Sequence, residues 1–170
     1  YDRSKFLNRV AKLRDEMPDI VLSTDVIVGF PGETDAEFEE TISLVKQVEF
    51  ENIFSFLYSA RPGTMASMMP DSVPADRKTE RLMELQSLQR EIQLRRHVAM
   101  VGSRHPVLVE GKSRRDAAEW AGRTTSNKVV NFAGESIGVG DIVEVRITAG
   151  GPNSLRGEMI EGPSSASPAA

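Results

Sequence analysis

Two textures succeed each other along this chain, and together they predict an α/β segment built on parallel strands followed by a small all-β barrel. Up to about residue 100, helix and strand signals alternate, and one strand is apolar at nearly every position. Such a strand belongs to a parallel sheet buried on both faces. Beyond Gly102, short β-type runs separated by Gly-, Asn-, Asp- and Pro-rich turns replace that alternation.

In order, Asp2 or Ser4 caps a helix carrying Phe6, Val10, Leu13 and Met17 on one face, stopped by Pro18. Residues 20–28 supply the apolar strand, broken by Gly29-Phe30-Pro31-Gly32-Glu33. Thr34-Asp35-Ala36-Glu37 is a capping box, in which the threonine hydroxyl and the glutamate carboxylate satisfy each other's free amides. It opens a helix with Phe38, Ile42, Val45 and Val48 facing one way. A second strand at 53–58 runs into the loop Ser59-Ala60-Arg61-Pro62-Gly63-Thr64. The strand–helix–strand unit implies a right-handed crossover between parallel strands. Residues 65–73 read as loop, and Pro74 opens a long helix to about residue 100, with Leu82, Leu85, Leu88 or Gln89, and Ile92 inward.

The later β runs fall at 106–110, 128–132, 141–147 and 154–159, with 120–125 as one more. Four or five short strands in about sixty residues suit a barrel of the oligonucleotide/oligosaccharide-binding type. The domain limits are therefore 1–73 for the α/β part, 74–100 for a connecting helix and 101–162 for the barrel. Residues 163–170, rich in Ser, Ala and Pro, read as a disordered tail.

Composition sets the outer limits. The 170 residues, 39% hydrophobic and 27% charged, suit one ordinary soluble domain or two small ones. No apolar run is long enough to span a bilayer. The absence of cysteine removes disulfides, thiolate zinc sites, iron–sulfur ligation and a cysteine nucleophile from these residues. The net charge of −4 hides an asymmetry: residues 1–100 carry 13 Lys/Arg against 17 Asp/Glu, and residues 101–170 carry 8 against 8. In the second part the cations are bunched, at Lys112, Arg114 and Arg115 and then at Arg123 and Lys128. They are either solvated loop charges or a phosphate-attracting patch, since that attraction acts over a Debye length of roughly 10 Å. A chain that starts Tyr1-Asp2-Arg3 reads as a piece of something longer. Two parallel strands cannot close a barrel, so their apolar flank should meet water.

Few segments bear chemistry. The 29–33 loop stands where a parallel strand hands over to a helix, the end at which α/β folds bind ligands, or else it is only a tight capped turn. It is neither a Walker loop nor a dinucleotide fingerprint. Strand alternation puts Ser23, Asp25, Ile27 and Gly29 on one face. Asp25, the one charge in the apolar strand, either meets a ligand hydroxyl or pairs with an arginine. Arg61 either reaches the same space or is a surface residue before a Pro-Gly turn. His97 and His105 read as surface residues. Trp120 and Phe132 are either stacking platforms or core. No complete catalytic apparatus emerges, so the catalytic set is empty.

Several runs, taken together, carry a resemblance. They are Ser23-Thr24-Asp25-Val26-Ile27-Val28-Gly29-Phe30-Pro31-Gly32-Glu33-Thr34, Phe38-Glu39-Glu40-Thr41, and Tyr58-Ser59-Ala60-Arg61-Pro62-Gly63-Thr64. With the helix around Glu84 to Ile92 they resemble the radical S-adenosylmethionine methylthiotransferases. Gly122-Arg123-Thr124-Thr125-Ser126-Asn127-Lys128-Val129-Val130-Asn131-Phe132 and Ser154-Leu155-Arg156-Gly157-Glu158 resemble the TRAM domain appended to those enzymes. Within the family, the chain is more like the members that modify tRNA than those that modify a ribosomal protein. Ala60, where proline is more usual, changes little beyond loop stiffness.

The resemblance implies the C-terminal part of a partial (β/α)6 TIM-like radical SAM barrel followed by an OB-like TRAM barrel. It implies a cytoplasmic enzyme that adds a methylthio group to carbon 2 of N6-isopentenyladenosine at tRNA position 37. It also implies S-adenosylmethionine and two four-iron, four-sulfur clusters, whose cysteines would lie upstream in the missing N-terminal portion, so that this piece alone should be inactive. Cofactor contacts fall by position on Asp25, Ile27, Gly29, Tyr58 and Arg61. Glu33 is left out, its spacing after the glycine being off by one. Contacts to the anticodon stem-loop fall on Arg114, Arg115, Arg123, Asn127, Lys128 and Arg156, because arginine forks fit phosphate and asparagine reaches ribose or base edges. Two alternatives stay open: an RNA-binding TRAM module of another tRNA-modifying enzyme, and the sibling enzyme acting on a ribosomal-protein aspartate.

Overall fold

The computed structural model describes residues 2–114 and 116–161. Arg115 and the 163–170 tail lie outside the described residues. The chain divides into two compact units, with the division between Ile92 and Gln93.

In the first unit, helix α1 (Arg3–Glu16) starts at Asp2, whose carboxylate accepts the Lys5 N–H at 2.9 Å. Strand β1 (Ser23–Val28) is followed by α2 (Asp35–Val48) and β2 (Asn52–Leu57). The capping box forms: Thr34 Oγ1 accepts from the Glu37 amide at 3.2 Å, and Glu37 Oε2 accepts from the Thr34 amide at 2.8 Å. The ordered part of the first strand begins at Ser23 and not at residue 20. β1 and β2 pair in parallel, from Ser23 opposite Asn52 to Val28 opposite Leu57. Where the sequence suggested only loop, Met65–Met68 forms one turn of 3₁₀ helix capped by Thr64. Helix α3 (Ala75–Ala99) follows.

The core of this unit joins Val28, Phe38, Ile42, Val45, Val48, Phe50, Leu85 and Ile92. Only one face of the two-stranded sheet reaches it. On the other face Ile27, Phe54 and Phe56 stay more than half exposed, and Asp25 lies among them in water, not buried.

The second unit holds β3 (Arg104–Lys112), β4 (Trp120–Thr124), β5 (Val129–Ala133), β6 (Ile142–Gly150) and β7 (Leu155–Glu161). They close into a barrel in the order β3-β4-β5-β7-β6, antiparallel throughout except for β5 beside β7. Alternation sends Val107, Val109, Val130, Phe132, Val143, Val145, Ile147 and Leu155 inward, so Phe132 is core. A side chain on Gly122 would bring its first carbon within 2.4 Å of the Leu108 carbonyl oxygen, so β3 and β4 need glycine there. His97 is buried, contrary to its reading as a surface residue: its Nδ1 lies 2.6 Å from the Gly151 carbonyl oxygen. Gly150, with no side chain, lets the end of α3 press against β6.

Candidate functional site

In the first unit, Asp25, Ile27, Phe30, Phe56, Tyr58 and Arg61 line a cleft of about 580 Å³ at the carboxyl ends of β1 and β2. Four of the five residues expected at the cofactor are thus brought together. Gly29, the fifth, does not line the cleft. Its φ of +71° bends the chain, and its N–H donates to Glu33 Oε2 at 2.7 Å. A Cβ there would fall 2.4 Å from Lys78 Cγ. Gly29 therefore lets α3 close on the loop. Phe30 meets the Tyr58 ring edge-on at 5.2 Å, and Lys78 Nζ stands 5.5 Å from the same ring. The Tyr58 hydroxyl is buried and has no hydrogen-bond partner among the described residues.

Two cations of α3 that sequence reasoning did not single out support this loop from within. Arg81 donates to Glu33 Oε2 at 2.7 Å, to the Glu33 carbonyl at 3.1 Å and to Asp35 Oδ1 at 2.7 Å. Lys78 pairs with Asp71 at 2.6 Å. The acidic pair Glu33 and Asp35 beside a glycine turn was the available signal for a buried partner. The Arg81 and Arg77 guanidiniums hold the Asp35 carboxyl below its ordinary value of 3.8.

On the barrel, a polar cleft of about 610 Å³ is lined by Lys112, Arg114, Arg123, Asn131, Asn153 and others, over a floor that includes Gly111 and Ala121. Cross-strand register sets Gly111 opposite Ala121, Ala121 opposite Asn131, and Asn131 opposite Arg156, so Arg156 stands beside it. A second cleft of about 430 Å³ adjoins the first, since Glu110 and Arg123 line both; Asn127 belongs to this second one. A bulge between Val109 and Gly111 takes Glu110 out of the ladder, and its carboxylate receives Arg123 Nε at 3.1 and 3.2 Å.

Lys128, another expected RNA contact, is placed less favourably. Lys128 is only 8% exposed, and its N–H donates to Thr124 Oγ1 within the turn, so its side chain does not face the clefts. Arg115 lies outside the described residues. Trp120 is half-buried, its Nε1 donates to the Gly134 carbonyl at 3.1 Å, and Lys112 Nζ covers its ring at 3.9 Å. That face is already occupied by a cation.

Residues 98–160 match the TRAM domain family. The tRNA-2-methylthio-N(6)-dimethylallyladenosine synthase of Methylococcus capsulatus is 49% identical over 160 residues, 94% of this chain and 35% of the relative. The protein of the same name from Geobacter metallireducens is 48% identical over 159 residues, 94% of this chain and 36% of the relative. That from Moorella thermoacetica is 47% identical over 162 residues, 95% and 36%. The chain thus spans little more than a third of the length of these relatives. Over that stretch the chain is similar to the tRNA-2-methylthio-N(6)-dimethylallyladenosine synthases, and its second unit carries a TRAM domain.

Proposed function

We propose that this chain is the C-terminal stretch of a cytoplasmic tRNA methylthiotransferase, in which the TRAM barrel grips the anticodon stem-loop and the first unit completes a radical SAM barrel. The observation that carries the reading is the cationic cleft on the barrel. A chain of net charge −4 gathers Lys112 and Arg114 around one concavity floored by small residues, with Arg156 beside it. Cations so placed attract phosphate locally, whatever the net charge. The relatives' name favours tRNA over a ribosomal-protein aspartate as the substrate.

The open face of β1 and β2 supports the rest of the reading. Ile27, Phe54 and Phe56 make an apolar flank of the kind that further parallel strands cover. The first-unit cleft fits S-adenosylmethionine chemically: Ile27, Phe30 and Phe56 offer apolar walls for an adenine, and Asp25 and Arg61 offer opposite charges for the zwitterionic end. The unpartnered Tyr58 hydroxyl lacks the polar group that a ligand would bring. S-adenosylmethionine, when bound, supplies the methyl and adenosyl groups of the reaction; these residues bind and orient it. No cysteine of this chain can ligate a cluster, so iron–sulfur ligands belong to another part of the parent protein.

A gel shift of this chain with an anticodon stem-loop RNA tests the reading. Affinity should fall as salt rises, by about 0.7 to 0.9 in log–log slope per phosphate contact. Arg114→Glu and Arg156→Glu should each weaken binding. Binding indifferent to salt and to both changes would remove the proposed RNA surface.

A further inference from the structure

We infer that the second cleft of the barrel is a stacking subsite for one unpaired nucleobase, in which Arg123 offers its flat face and not a phosphate-gripping fork. This rests on the RNA-binding reading above and deepens it. Three observations carry it.

The first is the state of Arg123. Its Nε donates to the Glu110 carboxylate, and its Nη1 donates to the Asn127 carbonyl at 3.2 Å and to Asn127 Oδ1 at 3.0 Å. An arginine grips phosphate with two parallel N–H bonds, along either its end or its side. Each of those edges includes an N–H that Glu110 or Asn127 already holds. Glu110 also offsets the positive charge. Hydrogen bonds lie in the guanidinium plane, so they immobilise the group and leave its faces free.

The second is the floor. Register sets Ile142 opposite Leu108 on β6 and β3, and Leu108 opposite Arg123 on β3 and β4. The three therefore form one row on the outside of the barrel. Leu108 is 46% exposed and Ile142 49%. Two aliphatic side chains beside a pinned guanidinium plane make an apolar shelf with a cationic wall, which suits a flat aromatic ring better than a phosphate.

The third is continuity. The cleft shares Glu110 and Arg123 with the cationic one that holds Lys112 and Arg114. A base on the shelf would leave its backbone running toward those cations. Unstacked bases laid on aromatic or guanidinium planes are how proteins read single-stranded RNA.

The test titrates this chain with a fluorescent single-stranded oligouridylate, and with an abasic ribose-phosphate strand of equal length, across a range of salt. The variants are Leu108→Ala with Ile142→Ala, and Arg123→Lys; Trp120 fluorescence confirms that each still folds. The inference expects both variants to lose about tenfold in affinity for oligouridylate. Their salt slopes should match the parent's, and their affinity for the abasic strand should be unchanged. Equal losses on both strands, or unchanged oligouridylate binding, would overturn the subsite while the RNA reading stands. A third variant, Arg123→Gln, removes the charge: a fall in its salt slope of about 0.7 would mark a phosphate contact and overturn the subsite too. A parent chain that binds neither strand overturns the RNA reading and the subsite together.

Discussion

Arg81 of α3 and Glu33 of the loop after β1 form a buried ion pair, Nη1 to Oε2 at 2.7 Å, with side chains 3% and 12% exposed. Glu33 also accepts the Gly29 N–H, and Arg81 lies 5.5 Å from the Phe38 ring. One guanidinium thus ties the turn after β1, the start of α2 and the third helix into a single arrangement. Removing one partner of such a pair leaves the other charge buried and uncompensated.

Arg81→Ala should therefore cost about 3 kcal/mol, read as a shift in the urea midpoint of the helical circular dichroism signal. Arg81→Ala combined with Glu33→Gln should cost distinctly less than the two single changes added together. Strict additivity would show that the pair does not couple.

Asp35 gives a pH dependence. Its carboxyl is held below the ordinary value by Arg81 first and Arg77 second, so the native state binds its proton more weakly than the unfolded chain. The stabilisation is complete above the ordinary carboxylate range and is lost as pH falls through the native value. The difference in Tm between the parent chain and Asp35→Asn should be largest near neutral pH and vanish in strong acid. A gap that widens on acidification contradicts the assignment.

Thr34→Ala removes an N-cap and half of the capping box, and should lower stability by about 1 kcal/mol in the same helical signal. Thr34→Ser keeps the hydroxyl and should restore most of it.

Gly122→Ala forces a carbon against the Leu108 carbonyl, whereas a Cβ at Gly111 meets nothing within 4 Å. The first change should destabilise the barrel by about 2 kcal/mol, and the second should stay within about 0.5 kcal/mol. Trp120, the single tryptophan, reports barrel unfolding directly by fluorescence.

The exposed face of the β1–β2 sheet makes a separate claim. Phe54→Thr with Phe56→Thr should reduce binding of a hydrophobic dye and self-association while leaving the helical unfolding midpoint nearly unchanged. A loss of several kcal/mol would mean that those rings are buried in the native state.

Much of this molecule was legible because it is local. The capping box at Thr34, the alternation along β3 and β6, and the inward faces of α2 and α3 follow from spacings of two, three and four residues. That Asp25 and Ile27 share one face of the strand followed from alternation as well, though not whether water or protein would meet them. The fates of the charges were not legible. Nothing in the sequence singled out Lys78 or Arg81, Lys128 looked like a contact, and His97 like surface; all four are buried.

The sequence by itself determined which segments become helix and strand, that no cysteine of this chain ligates iron, and which known proteins the motifs resemble. Only the tertiary structure decided which cations are spent inside the protein and which stay exposed. Glu33 meets Arg81 across 48 positions, and Glu110 meets Arg123 across a bulged strand pair. A charge's partner is set by where distant segments are folded together, and periodicity along one segment carries no record of that.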